Sequence, residues 1–202
     1  MKQLKHFIFI LLLGISPSLF AATVTFDPPP CNTCQFGMSN YDENGVYFSG
    51  SFAHYGMSTG YPYNNSTGAI NLLYGDYIRI ELLNGGLFSL LSVDLAEYST
   101  VFSGQSRTIT FSGKTINNVI VTQTFTTDGI VDGIGGQDDF ESFIFSSQFD
   151  NLTYVDINTD LFSMDNLVVQ AVPLPAASWL FLSGIILLIS SKKCLTSSSS
   201  GR

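Results

Sequence analysis

From Thr23 to Val172 the chain alternates apolar and polar residues with a period of two and shows no sustained 3.6-residue repeat. In "RTITFSG" (107–113) Ile109 and Phe111 fall on one side, Thr108 and Thr110 on the other. Val119, Val121 and Phe125 share a face, and Val155 and Ile157 oppose Tyr154 and Asp156. Successive side chains of a strand point to opposite faces, so this pattern belongs to antiparallel sheets with one dry and one wet face. Runs rich in Phe, Tyr, Val and Thr, separated by Gly, Asn, Asp and Ser, predict strands at 23–26, 45–55, 76–83, 87–98, 107–113, 118–127, 139–147, 152–157 and 161–170. The expected fold class is all-β, an antiparallel β-sandwich of the jelly-roll kind. No tryptophan occurs in this body, so phenylalanine is its main core filler.

Charge is distributed unevenly along the chain. Only Arg79, Arg107 and Lys114 are basic within the body, which holds all sixteen acidic residues; three cations against sixteen acids leave a net charge of −13. Such a surface repels polyanions, which excludes nucleic acid as a partner.

The two ends read as membrane-targeting segments. In "MKQLKHFIFILLLGISPSLFAAT", Lys2 and Lys5 form a basic start, residues 7–15 an apolar stretch and 16–22 a small-residue exit, so residues 1–22 read as a secretory signal peptide cut after Ala21 or Ala22. Residues 23–171 form the sandwich domain. From Leu174 to Ile189 the chain is again apolar, long enough for roughly 24 Å of helix at 1.5 Å per residue, a minimal single transmembrane helix. Pro173 and Pro175 enforce an extended entry, Trp179 sits where an interfacial aromatic anchors, and Lys192 and Lys193 act as a membrane stop on the inner side. A polar tail, 195–202, follows.

This end, "VPLPAASWLFLSGIILLISSKK", resembles the C-terminal sorting signal of PEP-CTERM proteins in the VPLPA variant, which combines a proline motif, an apolar helix with "WLF" and "SG", and a basic cluster. The resemblance covers 172–194 and implies an exosortase as partner. Val172, Pro173, Leu174, Pro175 and Ala176 would be its recognition residues, the cell membrane a transient anchor, and the cell surface or extracellular matrix the destination. "FSLLSVDLAEYS", "VTQTFTTDG" and "LFSMDNLVV" resemble the jelly-roll bodies that precede such signals, whose last strand carries the pattern seen at Phe162, Met164, Asp165 and Asn166. Those bodies look like galactose-binding-like carbohydrate modules. The expectation is a non-enzymatic exported protein associated with exopolysaccharide; a carbohydrate-binding module is the alternative and a polysaccharide hydrolase the remaining one.

Within the body three stretches bear chemistry. Cys31 and Cys34 in "PPPCNTCQF" read as a small disulfide loop outside the cytoplasm, since no helical pattern follows to support a redox motif and His54 alone cannot complete a zinc site. "HYGMSTGYPYNNSTG" (54–68) reads as an ordinary polar connection before it reads as a site; as a site, Tyr55, Tyr61 and Tyr63 near Asn64 and Asn65 would be a candidate sugar-stacking loop. "TDGIVDGIGGQDDFE" (127–141) gathers Asp128, Asp132, Asp138, Asp139 and Glu141. Hard oxygens on glycine-rich backbone suit calcium, though the segment also reads as a solvated hairpin loop. Asp165 is a separate calcium candidate by analogy with carbohydrate modules. No other cofactor is expected. His54 is the body's one histidine, so a Ser–His–Asp site would have to be built on it.

Overall fold

The computed structural model describes residues 21–27, 35–55, 68–72, 75, 77–97, 105–130, 140–159 and 161–173. The expected signal peptide (but for Ala21 and Ala22) and the expected transmembrane segment lie outside these. Among the described residues no helix is long and apolar enough to cross a membrane. The folded unit is Ser18–Val172.

The described residues of this unit form eleven strands: β1 (Ala21–Val24), β2 (Gln35–Glu43), β3 (Val46–Tyr55), β4 (Ala69–Leu72), β5 (Tyr77–Leu82), β6 (Leu87–Glu97), β7 (Thr108–Thr115), β8 (Ile120–Thr126), β9 (Glu141–Ile144), β10 (Leu152–Ile157) and β11 (Phe162–Val172). All pairings are antiparallel, and the fold is the expected β-sandwich. One layer runs β2-β3-β5-β10-β7-β8; the other has β11 between β6 and the short strands β1 and β4, with β9 beyond β6. β3 joins the layers, because Val46–Ser51 pair with β5 while Ala53–Tyr55 pair with β4.

The predicted alternation holds where it was sharpest. Ile109, Phe111, Val155 and Ile157 are buried, while Tyr154 and Asp156 are not. Val119 departs from its expected face: it precedes β8 in the turn from β7, donates its N–H to Thr115 Oγ1, and is 53% exposed. The segment 127–141 is not a hairpin loop. β8 pairs with β7 and β9 pairs with β6, so the segment carries the chain from one layer to the other.

Two strands, β2 and β4, were not expected. "QFGMSNYDE" lacks clean alternation, and its pairing with β3 is irregular at two places. The turn behind it is Asn44-Gly45, both with positive φ (51° and 82°), the geometry a two-residue hairpin needs to match strand twist.

Phenylalanine fills the core as anticipated. Phe111 and Phe125, from one layer, meet Phe143 and Phe145 of the other: Phe111 lies 5.0 Å from Phe145, and Phe125 lies 4.9 Å from Phe143 and 5.1 Å from Phe145, centroid to centroid. Tilted and edge-on ring pairs of this kind add about 0.5–1.5 kcal/mol each beyond burial. Above them Gln123 seals the outer strands, donating Nε2–H to the Ile144 carbonyl (3.1 Å) and accepting the Ser146 N–H (2.9 Å). An outermost strand with satisfied backbone groups resists pairing with another chain.

Glu43, the last residue of β2, fastens the N-terminal segment. Its carboxylate accepts the N–H groups of Thr25 (3.1 Å) and Phe26 (2.9 Å), the Thr25 hydroxyl (3.2 Å) and the Tyr41 hydroxyl (2.8 Å). Burial first, and then the bond to Glu43, push the Tyr41 hydroxyl well above its ordinary pKa, so it stays a donor.

Candidate functional site

Most residues singled out from the sequence fall outside the described residues: Cys31, Cys34, Tyr61, Tyr63, Asn64, Asn65, Asp132, Asp138, Asp139, Leu174, Pro175, Ala176, Trp179, Lys192 and Lys193. Tyr55 closes β3, with its backbone opposite Ala69. Val172 is the last residue of β11, so the proline motif starts where the final strand stops. His54 is fully buried, stacked on Tyr41 at 5.2 Å with Nε2 2.8 Å from the Phe26 carbonyl, and is closed to any substrate.

Asp165 occupies an irregularity in β11 rather than an open site. Asn166 adopts a left-handed φ of 45°, and its N–H donates to Asp165 Oδ1 at 2.6 Å. The Asn166 amide also donates to Asp165 Oδ2 and, at 2.9 Å, to Asp94 Oδ2. The Asp-Asn pair thus shapes a bulge, where the ladder to β6 shifts register.

The structure brings together a set of side chains that sequence reasoning missed. On β3, β5, β10 and β7 the residues between the buried ones point away from the core. Register places Tyr47 opposite Glu81, Ser49 opposite Arg79, Arg79 opposite Asp156, Asp156 opposite Ser112, and Tyr154 beside Lys114. Tyr77, opposite Ser51, is 52% exposed. Two of the body's three basic residues and three tyrosines therefore share one sheet face.

This face is internally braced. Arg79 donates Nε–H to Asp156 Oδ1 (2.7 Å) and Nη2–H to Oδ2 (2.9 Å), a planar two-point pair. Its guanidinium carbon lies 4.0 Å from the centroid of the Tyr154 ring, and Lys114 Nζ lies 5.7 Å from the same centroid, both within cation–π range. The bonds to Asp156 raise the Arg79 pKa further above its ordinary value. Aromatic rings with amphipathic edges, beside fixed donors and acceptors, can stack on the C–H faces of sugars and bond their hydroxyls. Tyr47 and Tyr77 lie on neighbouring strands, four residues apart in register, or roughly 14 Å at 3.4 Å per residue. That spacing suits a chain of several sugars rather than one.

A second cluster lies at the crossing between layers. One carboxylate oxygen from each of Glu97, Asp128 and Glu141 lies within 4.8 Å of the other two. Asp128 and Glu141 were expected to neighbour each other in sequence; Glu97, which ends β6, was not foreseen.

No family model matches the chain, and no curated protein matches it. Solved structures similar to it include an arginine mutant of a carbohydrate binding module family 29 (12% identity, 76% of this chain and 92% of that chain, TM-score 0.43). A CBM29-2 mutant, described as probing ligand recognition by family 29 carbohydrate binding modules, is similar at 12% identity over 74% of this chain and 90% of that chain, with a TM-score of 0.41. The CBM32 of AlyQ, in complex with 4,5-unsaturated mannuronic acid, is similar at 16% identity over 65% of this chain and 98% of that chain, with a TM-score of 0.34.

Proposed function

We propose that the folded unit binds a neutral polysaccharide, without chemically altering it, along the outer face of β3, β5, β10 and β7. The observation that carries this reading is the gathering of Tyr47, Tyr77 and Tyr154 with the Arg79–Asp156 pair, Glu81 and Lys114 on that face. Exposed tyrosine supplies stacking area at little cost in lost motion, and the bidentate pair presents its remaining donors and acceptors in fixed directions. A neutral glycan fits better than an anionic one, because the body's net charge of −13 repels anions. With export directed by the signal peptide, the polysaccharide met is the extracellular one. A glycan array probed with the full chain tests this: Tyr77→Ala should weaken binding about tenfold, the loss of roughly 1.4 kcal/mol. Tyr61→Ala and Tyr63→Ala should leave it unchanged; the opposite pattern moves the site to the loop.

The C-terminal segment is the delivery device in this reading. Its supporting observation is that β11 ends on Val172, the first residue of the VPLPA motif, so in the sequence no linker separates the motif from the last strand. Exosortase cutting near the motif would then free the sandwich intact from its membrane anchor. The intact mass of the protein recovered outside the cell tests it: a C-terminus near Val172–Ala176 is expected, and one at Arg202 refutes it.

A further inference from the structure

We propose that Glu97, Asp128 and Glu141 together hold one calcium ion, a site independent of the glycan face. Glu97 has the same strand parity as Val93 and Leu95, so it points inward at the end of β6 and is only 1% exposed. Its Oε1 accepts the Gly129 N–H at 2.7 Å, while Oε2, equally buried, has no hydrogen-bond partner. A buried carboxylate oxygen left bare is costly, and two further carboxylates beside it add like-charge repulsion. Among the described residues the one ion pair is Arg79–Asp156, so no lysine or arginine there neutralises the three acids. A bound cation relieves both costs at once.

The backbone around the cluster is held in place for this. Thr127 is tied to the start of β7, donating its N–H to the Arg107 carbonyl (3.0 Å) and accepting the Arg107 N–H on Oγ1 (3.1 Å). The Asp128 N–H then donates to Glu141 Oε1 (2.8 Å), and Asp128 Oδ1 accepts the Ile130 N–H (2.7 Å). Gly129, between them, has φ +85°, and a Cβ there would sit 2.7 Å from the Ser106 nitrogen. Each carboxylate thus keeps one oxygen engaged by backbone and has another oxygen free to ligate.

Calcium suits this cage better than its rivals. The donors are hard oxygens, which excludes soft-metal preference, and they come from three segments in irregular array. The three oxygens lie within 4.8 Å of one another, close enough for a single ion to touch all three, and calcium accepts an irregular set of this kind where magnesium demands a near-ideal octahedron. The ion would tie β6 and β9 of one layer to the connection that arrives from β8 of the other.

The test uses the full chain purified in detergent, stripped with chelator, at fixed ionic strength. Calcium at a hundredfold its Kd should raise Tm by roughly 5–10 °C, with one ion bound per chain in calorimetry. Magnesium at the same concentration should raise it far less; an equal rise overturns the calcium assignment, and no rise with either ion overturns the site. Glu97→Gln keeps the acceptor for Gly129 but places an amide donor at the bare oxygen. It should raise the metal-free Tm and abolish the calcium shift, a combination a purely structural glutamate does not give. A full calcium shift in Glu97→Gln, or in Asp128→Asn should the first variant fail to fold, contradicts the proposal.

Discussion

The outer sheet face and the acidic crossing between layers handle charge in opposite ways. On the face, Arg79 has Asp156 at 2.7 and 2.9 Å and the Tyr154 ring beneath it, so the charges of that pair are met before any ligand arrives. At the crossing, Glu97 meets two other acids and one of its oxygens meets nothing. Glu43 shows what a satisfied carboxylate looks like in the same molecule: it also ends a strand, yet four donors converge on it. A paired surface can recognise a neutral polar ligand without first shedding a counter-ion, whereas an unpaired cluster calls for a cation of its own. On the two proposals made above, the first region would serve recognition and the second reinforcement.

The comparison breaks most visibly at Glu43. Glu43→Ala strands two backbone N–H groups and two hydroxyls in partly buried positions, and urea unfolding should show a loss of about 3 kcal/mol. A loss under about 1 kcal/mol would mean that water replaces the carboxylate freely and that its contrast with Glu97 is empty. Next comes Gly129→Ala, which forces a side chain into a left-handed position against Ser106. It should cost about 2 kcal/mol by the same measurement. Asp156→Asn should cost within about 1 kcal/mol, because the Arg79 side chain is 40% exposed and water screens the pair. Its effect should appear instead as weaker glycan binding, which separates a recognition pair from a stabilising one.

A pH series sharpens the N-terminal side of the comparison by sign alone. Burial lowers the His54 pKa from its ordinary 6.5, against the opposing pull of the Phe26 carbonyl and Glu43. The fold therefore favours the neutral ring. Its contribution is fully present above 6.5 and is lost as pH falls below that value toward the folded pKa, because the unfolded chain takes up the proton first. The urea midpoint should drop from pH 7.5 to 5.5, and His54→Gln should flatten that drop; an unchanged slope in the variant assigns the effect to the carboxylates.

Local pattern and long-range pairing were unequally legible in the sequence. All nine expected strands exist, with ends shifted by a few residues, because period-two burial is a local property of each run. β2 and β4 escaped, the first being polar and irregular and the second only four residues long; the Asn44-Gly45 turn was the available signal for β2. The sheet face stayed hidden because its members come together only through pairing: Arg79 and Asp156 are 77 positions apart. Their strands showed which residues face outward, and nothing in the sequence said that β10 lies between β5 and β7. Glu97 was missed for the same reason, joining Gly129 across 32 positions, while Asp128 and Glu141 stood out because they flank one acidic segment. That Asp165 and Asn166 shape a bulge was not legible, because an Asp-Asn pair in that role has the same composition as one that binds a metal.

Calorimetric titration of the full chain with the host's extracellular polysaccharide, run side by side with the double variant Tyr47→Ala/Tyr77→Ala, bears most directly on the central claim. Saturable binding that falls at least tenfold in the double variant, with Tm unchanged within a few degrees, is the predicted result. Equal affinity in both proteins would contradict it and leave the tyrosine face without a role.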